Sequence, residues 1–326
     1  MKDYGNKLSF PTFASSNVNG ITLDVPELTE HIKERMPSPI GSGFGFSEVA
    51  VNQAETQYSS YTKIEAGTRL DRDGAQGAEL IDIVAKDGES VSVILNYRGK
   101  SDYRNTFVRV HVGKGATLNL YVVQLEADST VIESIGGEVE ECGQLNIYQY
   151  EVGSVDLYAN LKVALRGEAA QLKVDSIYFG FGDHSLNMLY DVRHEGKASV
   201  SDVQIHGALK DRAYKNLKST LDFIEGSAGS KGSEEEYAIL LDDAVRCLSV
   251  PVLLTHEDDV EGNHAASAGK IDGELLFYLM SRGLDEAQAR SLIVLSKFQS
   301  AIDAVEDEAL RDELMATVQG IVRMSC

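Results

Sequence analysis

Apolar and polar residues alternate with a period of two through most of the first two thirds of the chain, from about Val49 to Phe223. The i, i+3, i+4 spacing of an amphipathic helix is missing from this stretch. The pattern therefore predicts strands throughout it. The clearest alternating segments are Thr106–Val112, Leu118–Tyr121, Leu145–Tyr148, Leu157–Val163 and Val200–Ile205.

A glycine followed by an alternating strand recurs along this region, at Gly88, Gly115, Gly143, Gly167 and Gly196, with intervals of 27, 28, 24 and 29 residues. Repeats of this length without interleaved helices are typical of a β-solenoid, in which each coil stacks on the next. An antiparallel β-sandwich also has strands at short intervals. The pattern alone leaves both folds open.

The region before the strands, residues 1–47, is predicted to be an N-terminal lead-in. It holds a short helix at Leu23–Met36 and a Gly/Pro/Ser-rich loop at Pro37–Phe46. After the strands, the polar, glycine-rich Asp222–Gly232 predicts a long turn. Short apolar strands follow at Ala238–Leu241 and Val250–Thr255.

The last part of the chain changes to a helical pattern. Leu275–Ser281 is apolar and unbroken, and Gly283 follows where a helix commonly ends in a glycine. Asp285 and Gln288 form a capping box for a second helix through Leu295, and a third helix is predicted over Ile302–Met324. We therefore expect a β core over residues 48–272 and a helical segment over 273–326.

Acidic residues number 51 against 30 basic ones, a formal net charge of −21. This balance argues against nucleic acid and against an anionic membrane surface, because both attract clustered Lys and Arg. No apolar run approaches the roughly 20 residues that span a bilayer. The first residues lack the apolar stretch of a signal peptide, so we expect a soluble, cytoplasmic protein.

Candidate metal ligands concentrate between His256 and His264, where two imidazoles and four carboxylates fall within nine residues. The spacing departs from the HExxH zinc motif, and a solvated acidic loop is the commoner explanation of such a run. His264 is followed by small residues that let a partner or a cluster approach closely. Of the three cysteines, Cys142, Cys247 and Cys326, no two form a CxxC pair, which excludes a site with four cysteine ligands.

The run Asp258–Ile293, DDVEGNHAASAGKIDGELLFYLMSRGLDEAQARSLI, resembles the C-terminal signature of the SufB/SufD family of SUF iron–sulfur cluster assembly proteins. Upstream segments stand in family order at Asp191–His194, Ser219–Gly226, Leu240–Asp243 and Ser249–Leu253. The resemblance implies a right-handed parallel β-helix, mainly β, with a small C-terminal α-helical portion. It therefore favours the solenoid over the sandwich.

The resemblance also implies a function. Family members are non-enzymatic scaffold or partner subunits that bind a SufC-type ABC ATPase through the C-terminal helices. They pair with a second SufB/SufD-family chain through the β-helix, as homodimers or heterodimers. A transient iron–sulfur cluster forms near that interface, and this chain is expected to bind no nucleotide. The residues matching the ATPase-docking helices are Leu276, Phe277, Tyr278, Ser281, Arg282, Gly283, Ala289 and Leu292.

His264 matches the family histidine proposed as a cluster ligand, and a neutral imidazole can replace thiolate on iron. Further candidates are Cys247, Glu236 and Glu261. The chain departs from the family pattern at Gly262, where SufD-type sequences often carry cysteine. Near the position where SufB-type sequences carry a functional cysteine, this chain has Glu234, Glu235 and Glu236. Just after the histidine, where SufB-type sequences tend to have glutamate, it has Ala265.

These departures make the chain similar to a SufD-type or short single-copy member, and they leave two alternatives open. One is a structural SUF partner that ligates no cluster. The other is a carbohydrate-active β-helix enzyme using face carboxylates. The second is disfavoured because the sequence has neither a basic cluster for acidic polysaccharides nor a secretion signal.

Overall fold

The computed structural model describes residues 2–8, 10, 19–28 and 48–323. In chain order the strands are β1 (Lys2–Gly5), β2 (Ile21–Asp24), β3 (Ser60–Ile64), β4 (Thr68–Asp73), β5 (Gly77–Ala85), β6 (Ser90–Arg98), β7 (Tyr103–Val112), β8 (Thr117–Gln124), β9 (Ala127–Val139), β10 (Gln144–Glu151), β11 (Ser154–Leu165), β12 (Gln171–Gly180), β13 (Ser185–His194), β14 (Val200–Leu209), β15 (Tyr214–Phe223), β16 (Ser230–Leu240), β17 (Arg246–Thr255) and β18 (Val260–Lys270). The helices are α1 (Glu48–Thr56), α2 (Gly273–Ser281), α3 (Glu286–Asp303) and α4 (Glu308–Arg323).

From β3 onward, consecutive strands alternate between two eight-stranded sheets. One sheet holds the odd-numbered strands β3 to β17 in order, and the other holds the even-numbered strands β4 to β18. Neighbours within each sheet are parallel. Each coil therefore contributes one strand to each sheet, which is a β-solenoid of about seven turns. This confirms the predicted fold and excludes the antiparallel sandwich.

The glycine repeat marks one corner of the solenoid, where the chain turns from an odd-numbered to an even-numbered strand. The N–H of Gly88 donates to Lys114 O, and that of Gly115 donates to Glu141 O, each at 2.9 Å. Both glycines have positive φ, at 72° and 60°. Cys142 takes the same left-handed position in the next coil, with φ 52°. The corners thus stack in a hydrogen-bonded ladder. The glycine of the repeat does not always occupy the left-handed position, since Gly143 follows Cys142, and its spacing is therefore irregular.

Alternate residues of each strand point into the solenoid and form one continuous apolar core. The outer face of the even-numbered sheet is apolar as well, and α3 and α4 cover it. Phe179 and Tyr150 on the sheet pack with Phe298 and Leu314 on the helices. The Tyr150 hydroxyl also donates to Ala301 O at 2.6 Å. The C-terminal helices are therefore a second layer of the same body.

The N-terminal segments lie on the outer face of the odd-numbered sheet. Leu8 packs on Leu189, Val250 and Val252, and the buried Lys218 ammonium donates to Asn6 O at 2.8 Å. Within the described residues, no helix is long and apolar enough to cross a bilayer.

The N-terminal prediction was partly wrong. Ile21–Asp24 is a strand paired with β1, although a helix was predicted to begin at Leu23. The remainder of that helix and the loop at Pro37–Phe46 lie outside the described residues, apart from residues 25–28. The β pattern was expected from Val49, but Glu48–Thr56 is the helix α1. Its Ala54 packs against outward apolar residues of the first coils, so burial overrides its weak helical periodicity.

The C-terminal predictions were closer. α2 ends at a C-cap, Arg282, followed by Gly283 with φ 99°. The capping box at Asp285 is present. α3 continues past Leu295 to Asp303, and α4 begins only at Glu308, because Asp307 accepts a hydrogen bond from the Leu310 N–H at 3.0 Å.

The predicted long turn at Asp222–Gly232 was too long. Residues 222–223 complete β15 and residues 230–232 begin β16, so only residues 224–229 turn.

Candidate functional site

The C-terminal end of the solenoid is open. β17 and β18 are the last strands of their sheets. Among the described residues, one edge of each therefore has no neighbouring strand. The interior side chains of this coil reach solvent: Leu253 is 42% exposed, and Ala266 and Ala268 are exposed. A small cleft at this end is lined by side chains of four strands, among them Ser219, Glu234, Glu236, Ser249 and Ala266.

His264 lies at this end on β18, in register with Glu234 on β16. Its Nε2 is 3.8 Å from Glu234 Oε2 and has no hydrogen-bond partner. Burial lowers the pKa of His264, so the imidazole is neutral and has a lone pair for a metal. Burial raises the pKa of Glu234 to about 7, an effect that a hydrogen bond from Ser219 opposes and the nearby Glu236 reinforces. A cation between the two side chains would compensate the buried carboxylate.

Glu236, predicted as a cluster candidate, is occupied by protein partners. Its carboxylate accepts hydrogen bonds from Tyr178 at 2.8 Å and Ser249 at 2.6 Å. It also pairs with the fully buried ammonium of Lys215. The carboxylate neutralises that ammonium, so a metal ligated by Glu236 would leave Lys215 uncompensated.

Glu261 does not join His264. It stands three positions earlier on the same strand, and successive side chains of a strand alternate between faces. Glu261 therefore points to the outer surface, where its carboxylate pairs with Lys231 at 2.8 Å. His264 points to the inner face. The structure separates these two predicted ligands.

Cys247 is half-buried on β17, in register with Lys215 on β15, and it packs against the solenoid core. Burial raises the pKa of its thiol, and the Lys215 ammonium opposes that rise. Among the described residues, no group of three or more His, Cys, Asp and Glu is placed to hold a metal ion. The chain thus offers a two-residue set, His264 with Glu234, that needs further ligands to complete a site.

Sequence reasoning did not identify Glu234 as a neighbour of His264, although the spacing of the two residues could have indicated it. Glu234 precedes His264 by one coil, and residues one coil apart become lateral neighbours in a parallel solenoid. At Gly262, an added Cβ would lie 2.8 Å from Leu253 Cδ1 and 3.1 Å from Phe223. A cysteine would therefore fit there only if Leu253 moved.

α2 follows β18 directly and contains no buried residue. Phe277 is 73% exposed and Tyr278 52%, and Leu275, Met280 and Leu292 are exposed beside them. The Arg282 guanidinium lies 5.2 Å from the Tyr278 ring centroid. These side chains form an apolar surface next to the open end of the solenoid, which we call the α2 surface.

The predicted docking residues divide in three. Phe277, Tyr278, Ser281, Arg282, Gly283 and Leu292 are exposed on or beside the α2 surface. Leu276 is half-buried against the core that α3 and α4 share with the sheet. Ala289 is fully buried in α3, so a partner cannot contact it, and it supports the helix from beneath.

A family model described as the SufBD core domain of SUF system FeS cluster assembly matches residues 68–297. SufD of Bacillus subtilis is 25% identical over 248 residues, covering 74% of this chain and 56% of that protein. A SufBD family protein of Mycobacterium tuberculosis is 27% identical over 241 residues, covering 71% and 60%. SufD of Escherichia coli is 21% identical over 237 residues, covering 71% and 56%. The chain spans less than two thirds of the length of each of these relatives.

Proposed function

Because the chain belongs to the SufBD family of SUF iron–sulfur cluster assembly proteins, we propose that it is a non-enzymatic scaffold or partner subunit that docks an ABC-type ATPase of the SufC kind. The observation that carries this is the α2 surface. Large apolar side chains grouped on a short helix mark an interaction site, because a helix face of this kind binds in a groove of its partner. The identity of that partner is taken from the family.

The position of the α2 surface would couple a docked ATPase to the end of the solenoid that carries His264. α2 is joined to β18 by two residues, and its Leu276 and Leu279 pack against the core shared by α3, α4 and the sheet. A movement of the bound ATPase would therefore be transmitted directly to the strand that carries His264.

Substitution of Phe277 by Asp tests the docking. An aromatic side chain at the centre of an interface commonly contributes about 2 kcal/mol, roughly thirtyfold in Kd. We expect at least that loss of affinity for a SufC-type ATPase, measured by titration calorimetry, and a smaller loss for Arg282→Glu. Phe10→Asp is the matched control, because Phe10 is also exposed and lies in the N-terminal segment. Unchanged affinity of both α2 variants would overturn the proposed docking.

We further propose that the open end pairs with a second SufB/SufD-family chain, and that an iron–sulfur cluster assembles there as cargo. His264 and Glu234 would supply one side of that site and the second chain the other. This follows from the ligand count: two adjacent ligands are too few to hold a cluster, which takes four in its common forms.

Anaerobic reconstitution with iron and sulfide tests the ligation. The comparison is between the wild-type complex, His264→Ala and Glu234→Gln, with Glu261→Gln as a control because Glu261 faces outward. We expect the cluster absorption to fall in the first two variants and to persist in the control. Equal absorption in all four proteins would instead support a structural partner that ligates no cluster, while leaving ATPase docking intact.

A further inference from the structure

Two glutamates lie side by side inside the solenoid, far from the open end. Glu133 on β9 and Glu151 on β10 are each 1% exposed. Both project inward, because they alternate with residues whose side chains face outward. The cluster assembly role proposed above uses neither of them.

One amide joins the two carboxyl groups. Gln149 Nε2 donates to Glu133 Oε1 at 3.0 Å and to Glu151 Oε1 at 2.8 Å. Both carboxyl groups therefore converge on one amide nitrogen, and the second oxygen of each, Oε2, is buried and left without a hydrogen bond. Two carboxylates would only repel in this position, whereas a proton on one turns it into a donor for the other.

The surrounding charges also favour protonation of one of the two carboxyl groups. Arg104 is the cation that faces the pair, with Nη1 3.6 Å from Glu133 Oε2, and its Nε donates to Glu126 at 2.7 Å. Three buried carboxyl groups, those of Glu126, Glu133 and Glu151, thus face one buried guanidinium. Full ionisation would leave uncompensated negative charge there, which is strongly unfavourable.

The other described titratable groups that face the pair are phenols. Arg104 lies over the Tyr97 ring, 3.8 Å from its centroid. The Tyr190 hydroxyl donates to Gln149 Oε1 at 2.9 Å, and Tyr178 is the register neighbour of Glu151 on β12. Burial raises the pKa of all three phenols, so they stay neutral and compensate no charge.

We propose that Glu133 and Glu151 form a proton-binding site, a carboxylic acid–carboxylate pair that holds one shared proton at neutral pH. Glu133 is the carboxylate, because Arg104 lies next to it, and Glu151 is the acid. In agreement, burial and the charge of Glu133 raise the pKa of Glu151 well above its usual range. Loss of that proton places two like charges in contact, so the site links the stability of the solenoid interior to pH.

Infrared spectroscopy of the whole chain in D2O detects the proton directly. At about pH 8.5, ordinary carboxyl groups are ionised, and so, for the most part, is Glu234, with a pKa of about 7. We expect one carboxylic acid carbonyl band per chain in the wild type. The band should disappear in Glu151→Gln and persist in Glu168→Gln, a control exposed at a corner of the solenoid. A wild-type spectrum without the band would overturn the proposal, as would a band that survives in both Glu151→Gln and Glu133→Gln.

Urea unfolding as a function of pH gives a second measurement. Because the folded pKa is raised, the folded state holds the proton to higher pH than the unfolded state does. The contribution of the pair to wild-type stability therefore falls as pH rises above about 4.5. In Glu151→Gln the amide donates to Glu133 in place of the acid. The midpoint of this variant should therefore rise relative to the wild type between about pH 5 and 9. A constant difference across that range would contradict the shared proton, and the wild-type spectrum decides the matter if the variant does not fold.

Discussion

A single glycine makes room for a buried hydrogen bond that spans three strands near the site. Tyr178 on β12 reaches Glu236 on β16 by crossing the intervening strand β14. The residue of β14 in register with Tyr178 is Gly207, and a Cβ there would overlap the Tyr178 ring. Gly207 thus permits the contact that helps hold the Glu236 carboxylate against Lys215.

Gly207→Ala should destabilise the protein. The tyrosine ring must leave its place, which adds the cost of overpacking, about 1–3 kcal/mol, to a lost hydrogen bond of about 1 kcal/mol. Urea unfolding measures the change. Gly269→Ala on β18 is the matched control, because an added Cβ meets nothing there. Similar losses in both variants would mean that strand propensity, and not the tyrosine ring, explains the effect.

His194 should make the fold sensitive to acid. Its ring is fully buried, stacks on Phe223 and lies 2.8 Å from Ser199 Oγ and 2.9 Å from Ser201 Oγ. Burial lowers its pKa to about 4. The unfolded chain therefore binds a proton first, and the contribution of His194 is lost as pH falls from about 6.5 to 4, roughly 3 kcal/mol in all.

The measurement is the difference in unfolding free energy between the wild type and His194→Gln across this range. The comparison of two proteins is needed because the raised pKa of Glu234 changes the unfolding free energy in the opposite direction between about pH 4.5 and 7. That change is common to both proteins and cancels in the difference. We expect the wild-type advantage to shrink as pH falls. An advantage that does not change with pH would show that His194 is not buried in its neutral form.

At this scale the sequence predicted His264 through its family context but not its neighbours. Treating His256–His264 as a loop hid the alternation that sends Glu261 to the outside. The pairing of Glu236 with Lys215 could not be predicted from the sequence either, because it depends on which residues of β15 and β16 face each other across the interior.

The α3–α4 hairpin lies along the outer face of the even-numbered sheet and contacts it in two ways. Apolar side chains pack beneath it, including Phe298, which makes an edge contact with Phe179 at 6.5 Å between ring centroids. Ion pairs also join it to the first coils, between Arg69 and Asp307 and between Arg98 and Glu313. These pairs are partly exposed, so the apolar packing should dominate.

Phe298→Ala should therefore cost about 3–5 kcal/mol, whereas Arg69→Ala should cost less than about 1 kcal/mol. Urea unfolding gives both values, and limited proteolysis of the hairpin should accelerate only in the first variant. If Arg69→Ala released the hairpin as readily, the ion pairs would be its principal attachment.

Elements were predictable where local chemistry determines them. The capping box of α3 and the glycine after α2 act within one turn of helix, so both can be predicted from a few neighbouring residues. α1 was missed because its helical periodicity is weak and its place depends on packing against the first coils. The covering of the even-numbered sheet by α3 and α4 was likewise a matter of tertiary packing.

The two ends of the solenoid differ in a way that bears on assembly. At the first coil, β3 and β4 are short, and charged residues lie on or beside them, including the pairs Lys63–Glu65 and Arg69–Asp71. Short, charged edge strands resist pairing with another chain. At the other end, β17 and β18 are longer, and β18 carries small residues over 265–269. Within the part of the chain that the structure describes, the C-terminal end is thus the one whose edges are unprotected.

Two negative charges placed at that end should abolish the proposed pairing. Ala266 and Ala268 are exposed on the inner face of β18. In Ala266→Glu/Ala268→Glu, a second chain stacked there would bury two unpaired carboxylates, which costs several kcal/mol. Light scattering after size exclusion should show a complex of two chains for the wild type, with itself or with a SufB-type chain, and separate chains for the variant. Ala66→Glu, exposed between β3 and β4, is the control and should leave the complex intact. If the double variant still associates, or if the wild type associates with neither partner, the open end is not the pairing surface, and His264 and Glu234 would then face solvent without the ligands they need.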